Sequence, residues 1–120
     1  MKKKDLEGLS DHELIEEFRL VAHKLGDSIV NWVPTTDEVK YLFTLTKALG
    51  ARGRQVRLQL APLLDDKDRF VRYYAAQELL ALVPGRSRQI IEETAKGFDA
   101  LAGDAGMLLH ALDRDQWKPD

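Results

Sequence analysis

The sequence predicts an all-α protein of about six helices, arranged as stacked antiparallel hairpins. Apolar residues recur at helical spacing along most of the 120-residue chain, and no long segment alternates apolar and polar residues as a half-buried strand does. Glycine and proline fall between the helical runs, where they interrupt helices. Short turns between the helices favour antiparallel pairing of neighbours. A non-repetitive bundle of six helices is the competing arrangement, and it is equally all-α.

The first two helices are predicted from capping signals and periodicity. Ser10 and Glu13 form a capping box, in which each side chain satisfies an otherwise unpaired backbone N–H. Helical spacing then continues until Pro34, which stops the first helix. Thr35 and Glu38 repeat the capping pattern for a second helix that runs to about residue 52. The residues of this helix predicted to face inward are Val39, Leu42, Phe43, Thr46 and Leu49.

The third and fourth helices form the best-defined hairpin, residues 54–84. Pro62 lies inside the third helix, where it removes one backbone hydrogen bond and predicts a kink. Asp68 is the expected N-cap of the fourth helix, which Pro84-Gly85 end. The residues predicted to be buried along the fourth helix are Val71, Ala75, Leu79 and Leu82.

The last two helices are predicted over residues 87–98 and 104–112. Asp104 is the expected N-cap of the last one. Gly106 costs helix stability relative to alanine, and close packing of the previous helix against it is the expected compensation.

Length and composition predict one soluble domain, residues 1–120, with less regular tails at 1–9 and 113–120. The chain has no cysteine, which excludes disulfides and thiolate metal sites. Acidic residues follow the basic start where a signal peptide would need an apolar segment, and no apolar run approaches the ~20 residues of a membrane span. We therefore expect a cytoplasmic protein that does not bind membranes.

The net charge of −2 is distributed unevenly along the chain. Residues 52–88 contain eight basic and four acidic groups, whereas the segments on either side are acidic. Seven of those eight cations are arginine, which suits planar contact with carboxylates or phosphates. A basic middle predicts a partner with an acidic patch, while the acidic overall balance disfavours a dedicated nucleic-acid binder.

Residues 58–84 resemble one unit of a HEAT or armadillo repeat, a helical hairpin that stacks on copies of itself. The resemblance implies an α-α superhelix whose extended surfaces bind other macromolecules. In HEAT-type units an arginine follows a valine of the second helix, as Arg72 follows Val71 here, and it typically pairs with an aspartate of the preceding turn. The resemblance therefore implies a structural role for Arg72, paired with Asp66 or Asp68.

The C-terminal region resembles a second pattern, that of a family of short bacterial HEAT-like proteins of unknown function. Its marks are the Gly-Asp-Ala-Gly-Met run at 103–107, the pair Leu112-Asp113, Trp117 and Pro119. This resemblance implies a fold and no activity.

Four residues form the predicted partner-binding surface. Arg54 and Arg57 open the third helix, and Arg69 and Tyr73 are one turn apart on the fourth. They are predicted to project from one side of the hairpin. Arginine interleaved with an aromatic residue is typical of protein interfaces and of nucleic-acid backbone contacts.

Other sites have simpler explanations. The 103–107 run has the glycines of an anion-binding loop but lacks a preceding strand and the P-loop lysine, so helix packing is favoured. His12 and Glu16 share a helix face without further metal ligands, and acidic residues are favoured at a helix start in any case. We expect neither cofactor nor metal.

Three functions are consistent with the sequence. The favoured one is a non-enzymatic interaction or scaffold module that binds a protein with an acidic patch, or a second copy of the chain as a homodimer. The alternative is a nucleic-acid-associated HEAT-like protein. A remote alternative is a hydrolytic enzyme that uses Asp104, His110 and Asp113, which would require the three side chains to converge.

Overall fold

The structure is a computed structural model, and it describes residues 6–31, 33 and 35–114. The described residues form six α-helices and no β-strand, which confirms the all-α class. None of the described helices is long and apolar enough to cross a membrane. The chain divides into two compact units, Met1–Leu60 and Ala61–Asp120, and the boundary lies within the predicted repeat unit. Stacking of the helices as HEAT-type hairpins stays a prediction.

The first unit contains a hairpin of two long helices. After a 3₁₀ segment at Leu6–Gly8 come α1 (Asp11–Val30), α2 (Thr36–Ala51) and the short α3 (Arg54–Leu58). α1 packs against α2, and α2 also contacts α3 and the 3₁₀ segment. The buried apolar residues of this unit are Leu14, Phe18, Val21, Ala22, Leu25, Leu42, Leu45, Leu49, Val56 and Leu60.

The helix ends of the first unit confirm one predicted cap and correct another. The capping box is present: the Ser10 N–H donates to Glu13 Oε1 at 2.9 Å, and the Glu13 N–H donates to Ser10 Oγ at 3.1 Å. Thr35 occupies the N-cap of α2, but its side chain accepts no capping hydrogen bond. α1 ends at Val30, earlier than predicted, and Pro34 lies outside the described residues.

The second unit contains the remaining helices in chain order. A 3₁₀ segment at Ala61–Asp65 precedes α4 (Arg69–Leu79), α5 (Pro84–Ala95) and α6 (Ala100–Asp113). α5 packs against both α4 and α6, and the 3₁₀ segment contacts α4 and α5. The buried apolar residues of this unit are Leu63, Leu64, Phe70, Val71, Tyr73, Ala75, Ala76, Leu79, Leu80, Ile90, Ile91, Leu101, Ala102 and Ala105.

Pro62 and Pro84 have different structural roles from those predicted. The helix ends at Leu58 and Pro62 lies in the following 3₁₀ segment, so Pro62 does not kink a continuous helix. Proline has no N–H to donate to the carbonyl four residues before it, that of Leu58, and here the helix ends at that residue instead of continuing with a kink. Pro84-Gly85 begin α5 and do not end α4, because proline at the first helical position has no N–H to leave unpaired.

Two of the three helices of the second unit, α4 and α6, are capped by aspartates. Asp68 caps α4 as predicted, since its Oδ1 accepts from the Phe70 N–H at 2.8 Å. The N-cap of α6 is Asp99, whose Oδ1 accepts from the Ala102 N–H at 3.0 Å. The prediction that Asp104 caps this helix is therefore wrong, and α6 begins at Ala100.

Candidate functional site

Tyr73 is not part of an exposed surface, which corrects the predicted partner-binding set. Its side chain is 0% exposed, although helical periodicity had placed it opposite the buried Val71 and Ala75. The reason is that α4 is buried on two sides, since Phe70 and Tyr73 are enclosed as well. Tyr73 therefore cannot contact a partner while the unit is folded.

The Tyr73 hydroxyl joins α4 to α6. It donates to Asp104 Oδ2, and Gln77 Nε2 donates to the tyrosine oxygen at 3.0 Å. The ring of Tyr74 contacts that of Tyr73 edge-on, with centroids 5.4 Å apart. Burial raises the pKa of Tyr73, and the Asp104 carboxylate raises it further by accepting the hydroxyl proton in a hydrogen bond. Asp104 thus has a structural role, though a different one from the predicted cap.

The arginines of the basic middle are largely engaged within their own units. Arg69 forms an ion pair with Asp99, the N-cap of α6. Arg86 pairs with Asp65 at 3.0 Å, and Arg88 Nη2 lies 2.6 Å from Asp113 Oδ1. These guanidinium groups are held by carboxylates of this chain, so they are less available to a partner.

Arg72 has the structural role that the repeat resemblance implied, with a different partner. Its Nη1 donates to the backbone carbonyls of Asp66 at 2.7 Å and Lys67 at 3.0 Å. The guanidinium therefore holds the turn through its carbonyls and not through the aspartate side chains. Arg54 begins α3 and is exposed, whereas Arg57 lies in the last turn of that helix, is half-buried and has interactions of its own.

The 103–107 run is not an anion-binding loop. It lies inside α6, where backbone N–H groups bond within the helix. A Cβ added at Gly106 would meet nothing within 4 Å, so the expectation that a neighbouring helix packs against this glycine is wrong. Gly103 is equally open. Trp117 and Pro119, which belonged to the same resemblance, lie outside the described residues.

The side chains that the sequence offered for metal binding or hydrolysis do not converge. Glu16 receives a hydrogen bond from Arg19 Nε at 3.0 Å, which lowers the pKa of the Glu16 carboxyl. Among the described residues there is no group of three or more histidine, cysteine, aspartate or glutamate side chains that would hold a metal ion. Asp104 bonds to Tyr73, Asp113 pairs with Arg88, and His110 is exposed.

α2 presents a basic and aromatic surface that the sequence analysis missed. Phe43 was predicted to face inward, but its side chain is 65% exposed. Lys40 precedes it by three residues and Lys47 follows it by four, and both are exposed. We call these three residues the Lys–Phe–Lys stripe. Neither lysine has an ion-pair partner in the part of the chain that the structure describes.

The sequence did contain a signal for this surface. The buried face of α2 consists of Leu42, Leu45 and Leu49. In a helix, Phe43 is turned about 100° from Leu42, whereas a lysine lies one turn away on each side of it. The two lysines therefore marked the exposed face, and a large apolar residue between them was the exception to explain.

Comparison with known proteins gives a relative but no described activity. No protein-family model matches the chain, and no curated protein does. The structure is similar to the crystal structure of the protein RPA1889 from Rhodopseudomonas palustris CGA009, with a TM-score of 0.82 and 30% sequence identity. The match covers 98% of this chain and 100% of that one. An identity of this size over essentially the whole of both chains places the protein in the same family as RPA1889.

Proposed function

We propose that the protein is a non-enzymatic interaction module that binds an acidic segment of another protein through the Lys–Phe–Lys stripe of α2. The observation that carries the proposal is the exposure of Phe43 between two lysines that have no ion-pair partner among the described residues. The class of function is the one expected from the sequence, but the binding surface is on α2. The surface expected from the sequence consisted of Arg54, Arg57, Arg69 and Tyr73.

Phe43 is the apolar anchor of this surface. Aromatic residues are enriched at the energetic centres of interfaces, where they fill a pocket of the partner. A buried phenylalanine removes roughly 200 Å² from water, and about two-thirds of that is available here. At about 25 cal/mol per Å², covering the ring contributes about 3 kcal/mol. An exposed phenylalanine gives the isolated protein no such gain.

The flanking lysines determine the charge of the partner. Lys40, Phe43 and Lys47 lie on one side of α2, and the exposed Asp37 is turned about 120° away from Phe43. Asp37 is three residues before Lys40 and therefore lies beside that lysine, where it offsets part of its charge. The positive potential of the stripe is therefore strongest at Lys47. Complementary charge accelerates association and selects the partner.

The nucleic-acid alternative loses the cations on which it depended. Arg69, Arg86 and Arg88 are paired with carboxylates of the chain, and a phosphate backbone would have to displace them. Two lysines on one helix are few beside the six to ten phosphate contacts of a strong duplex binder. The hydrolytic alternative has no support in the geometry, because its three side chains have different surroundings.

A comparative pull-down tests the proposed surface. The baits are the wild type, a stripe variant with Lys40→Glu and Lys47→Glu, and a Phe43→Ser variant. The matched control carries Lys24→Glu and Arg54→Glu, which change the same charge at exposed cations without an ion-pair partner in the described part of the chain. Circular dichroism verifies that all baits are folded, as expected for surface changes.

The outcomes separate the surfaces. A protein captured by the wild type and the control but lost by both stripe baits supports the proposal. If the control loses the same protein while the stripe variants retain it, the binding surface includes Lys24 or Arg54 and not α2. Equal recovery by all baits removes α2 from consideration.

A further inference from the structure

On the basis of the proposed function, we infer that the segment bound by the Lys–Phe–Lys stripe is an α-helix with two carboxylates seven residues apart and an apolar residue between them. The spacing of the stripe itself carries this inference. Lys40 and Lys47 are separated by seven residues of α2, which is two turns, or roughly 10.5 Å along the helix axis. Phe43 divides that distance into three and four residues.

The stripe continues with small residues at both ends. Thr36 and Gly50 follow the same three-and-four spacing and are exposed. A Cβ at Gly50 would meet nothing within 4 Å, so the surface is open there. Small residues at the ends leave room there for another helix, while Lys40, Phe43 and Lys47 set its distance from α2 between those ends. The complete row has the three-and-four spacing by which one helix lies along another: Thr36, Lys40, Phe43, Lys47 and Gly50.

A helical partner matches this spacing more closely than an extended one does. A second helix has the same rise per residue, so carboxylates seven residues apart lie opposite Lys40 and Lys47 whichever way the helix runs. On a β-strand, side chains on one face are about 6.6 Å or 13 Å apart, so a strand would meet the two lysines only if their flexible side chains moved. The apolar residue between the carboxylates covers Phe43 and maintains the register.

Two synthetic peptides of about 20 residues test the spacing directly. The matched peptide is an otherwise uncharged helix-forming sequence that carries Glu, Leu and Glu at positions i, i+3 and i+7 or at i, i+4 and i+7. The shifted peptide has the same composition, but its second Glu is two residues further on, which turns it to the opposite face of the helix. Both peptides have the same net charge and the same apolar content.

Binding is measured by fluorescence anisotropy at low salt, with the full chain and its variants. We expect the matched peptide to bind roughly twofold to fivefold more tightly than the shifted one, since the shift removes one exposed ion pair and such a pair contributes modestly. The Lys40→Glu/Lys47→Glu pair should abolish that preference, Phe43→Ser should weaken the binding of both peptides, and the Lys24→Glu/Arg54→Glu control should keep the preference. The preference should decrease as salt is raised, because exposed charges are screened.

The remaining outcomes overturn the inference in distinguishable ways. Equal binding of both peptides that is lost in the stripe variants refutes the helical spacing and leaves the proposed acidic partner in place. Binding of neither peptide, while the stripe variants lose a protein in the pull-down, refutes the helix alone. Peptide binding that survives the stripe variants refutes both. Stripe-dependent binding to vesicles of phosphatidylcholine and phosphatidylglycerol, without peptide binding, replaces the helix with an anionic lipid surface.

Discussion

Replacing Tyr73 with phenylalanine removes one hydroxyl from the buried side of α4 and leaves the ring in place. The hydroxyl donates to the Asp104 carboxylate of α6 and accepts from Gln77. A hydrogen bond to a charged group contributes about 1.5–3 kcal/mol to stability. Asp104 and Gln77 are not buried, so water replaces part of what they lose. We therefore expect the lower end, a loss of about 1.5 kcal/mol from the free energy of unfolding.

The assay is urea denaturation followed by circular dichroism at neutral pH, with thermal unfolding as a second measure. For a chain of this length, about 1.5 kcal/mol corresponds to a fall in Tm of about 6 °C. Tyr74→Phe is the matched control, because the Tyr74 hydroxyl has no hydrogen-bond partner in the described part of the chain. Its loss should stay below about 0.5 kcal/mol, the range of changes away from buried interactions.

A double-mutant cycle isolates the contact itself. Tyr73→Phe and Asp104→Ala are measured singly and together, and the coupling energy should be about 1 kcal/mol or more, since the two side chains bond directly. Equal losses in Tyr73→Phe and Tyr74→Phe, or additive effects of Tyr73→Phe and Asp104→Ala, would refute the reasoning. In that case the α4–α6 contact would depend on apolar packing alone.

Three further predictions concern local structure and pH. Gly53→Ala should lower the free energy of unfolding by about 1–3 kcal/mol, because Gly53 has a φ of 98°. Gly50→Ala lies in open space on α2 and should raise the free energy of unfolding by about 0.5 kcal/mol. Urea denaturation midpoints of the two variants test both values. Ser10→Ala should lower the free energy of unfolding by about 1 kcal/mol, because the Ser10 side chain caps α1. Thr35→Ala should leave it nearly unchanged, because the Thr35 side chain makes no capping hydrogen bond. Thermal unfolding of the two variants tests the difference. Burial, together with the hydrogen bond to a glutamate, raises the pKa of Tyr41 to about 12, so its contribution to stability is complete below pH ~10 and is lost as the pH rises to about 12. Urea midpoints against pH should fall over that interval, and less steeply in Tyr41→Phe.

Local chemistry explains the predictions that succeeded. The all-α class follows from apolar residues at helical spacing, and the Ser10 capping box and the Asp68 cap follow from side chains that bond to backbone groups two or three residues away. Such interactions depend on neighbours in the chain, so a single sequence reveals them. The errors at Pro62 and Pro84 were also local, since proline is compatible with a 3₁₀ segment or a first helical turn as well as with a kink or a stop.

The sequence by itself determined that the chain is helical, where several helices begin, and that its middle is basic. Only the tertiary structure decided which of those charges remain available and which aromatic residues face solvent. Arg88 is paired with a carboxylate on another helix 25 residues away, and Tyr73 is enclosed because α4 has neighbours on two sides. Phe43 is exposed because α2 buries only its leucine face. The direction of a side chain depends on what packs against its helix, and residues distant in the chain provide that packing.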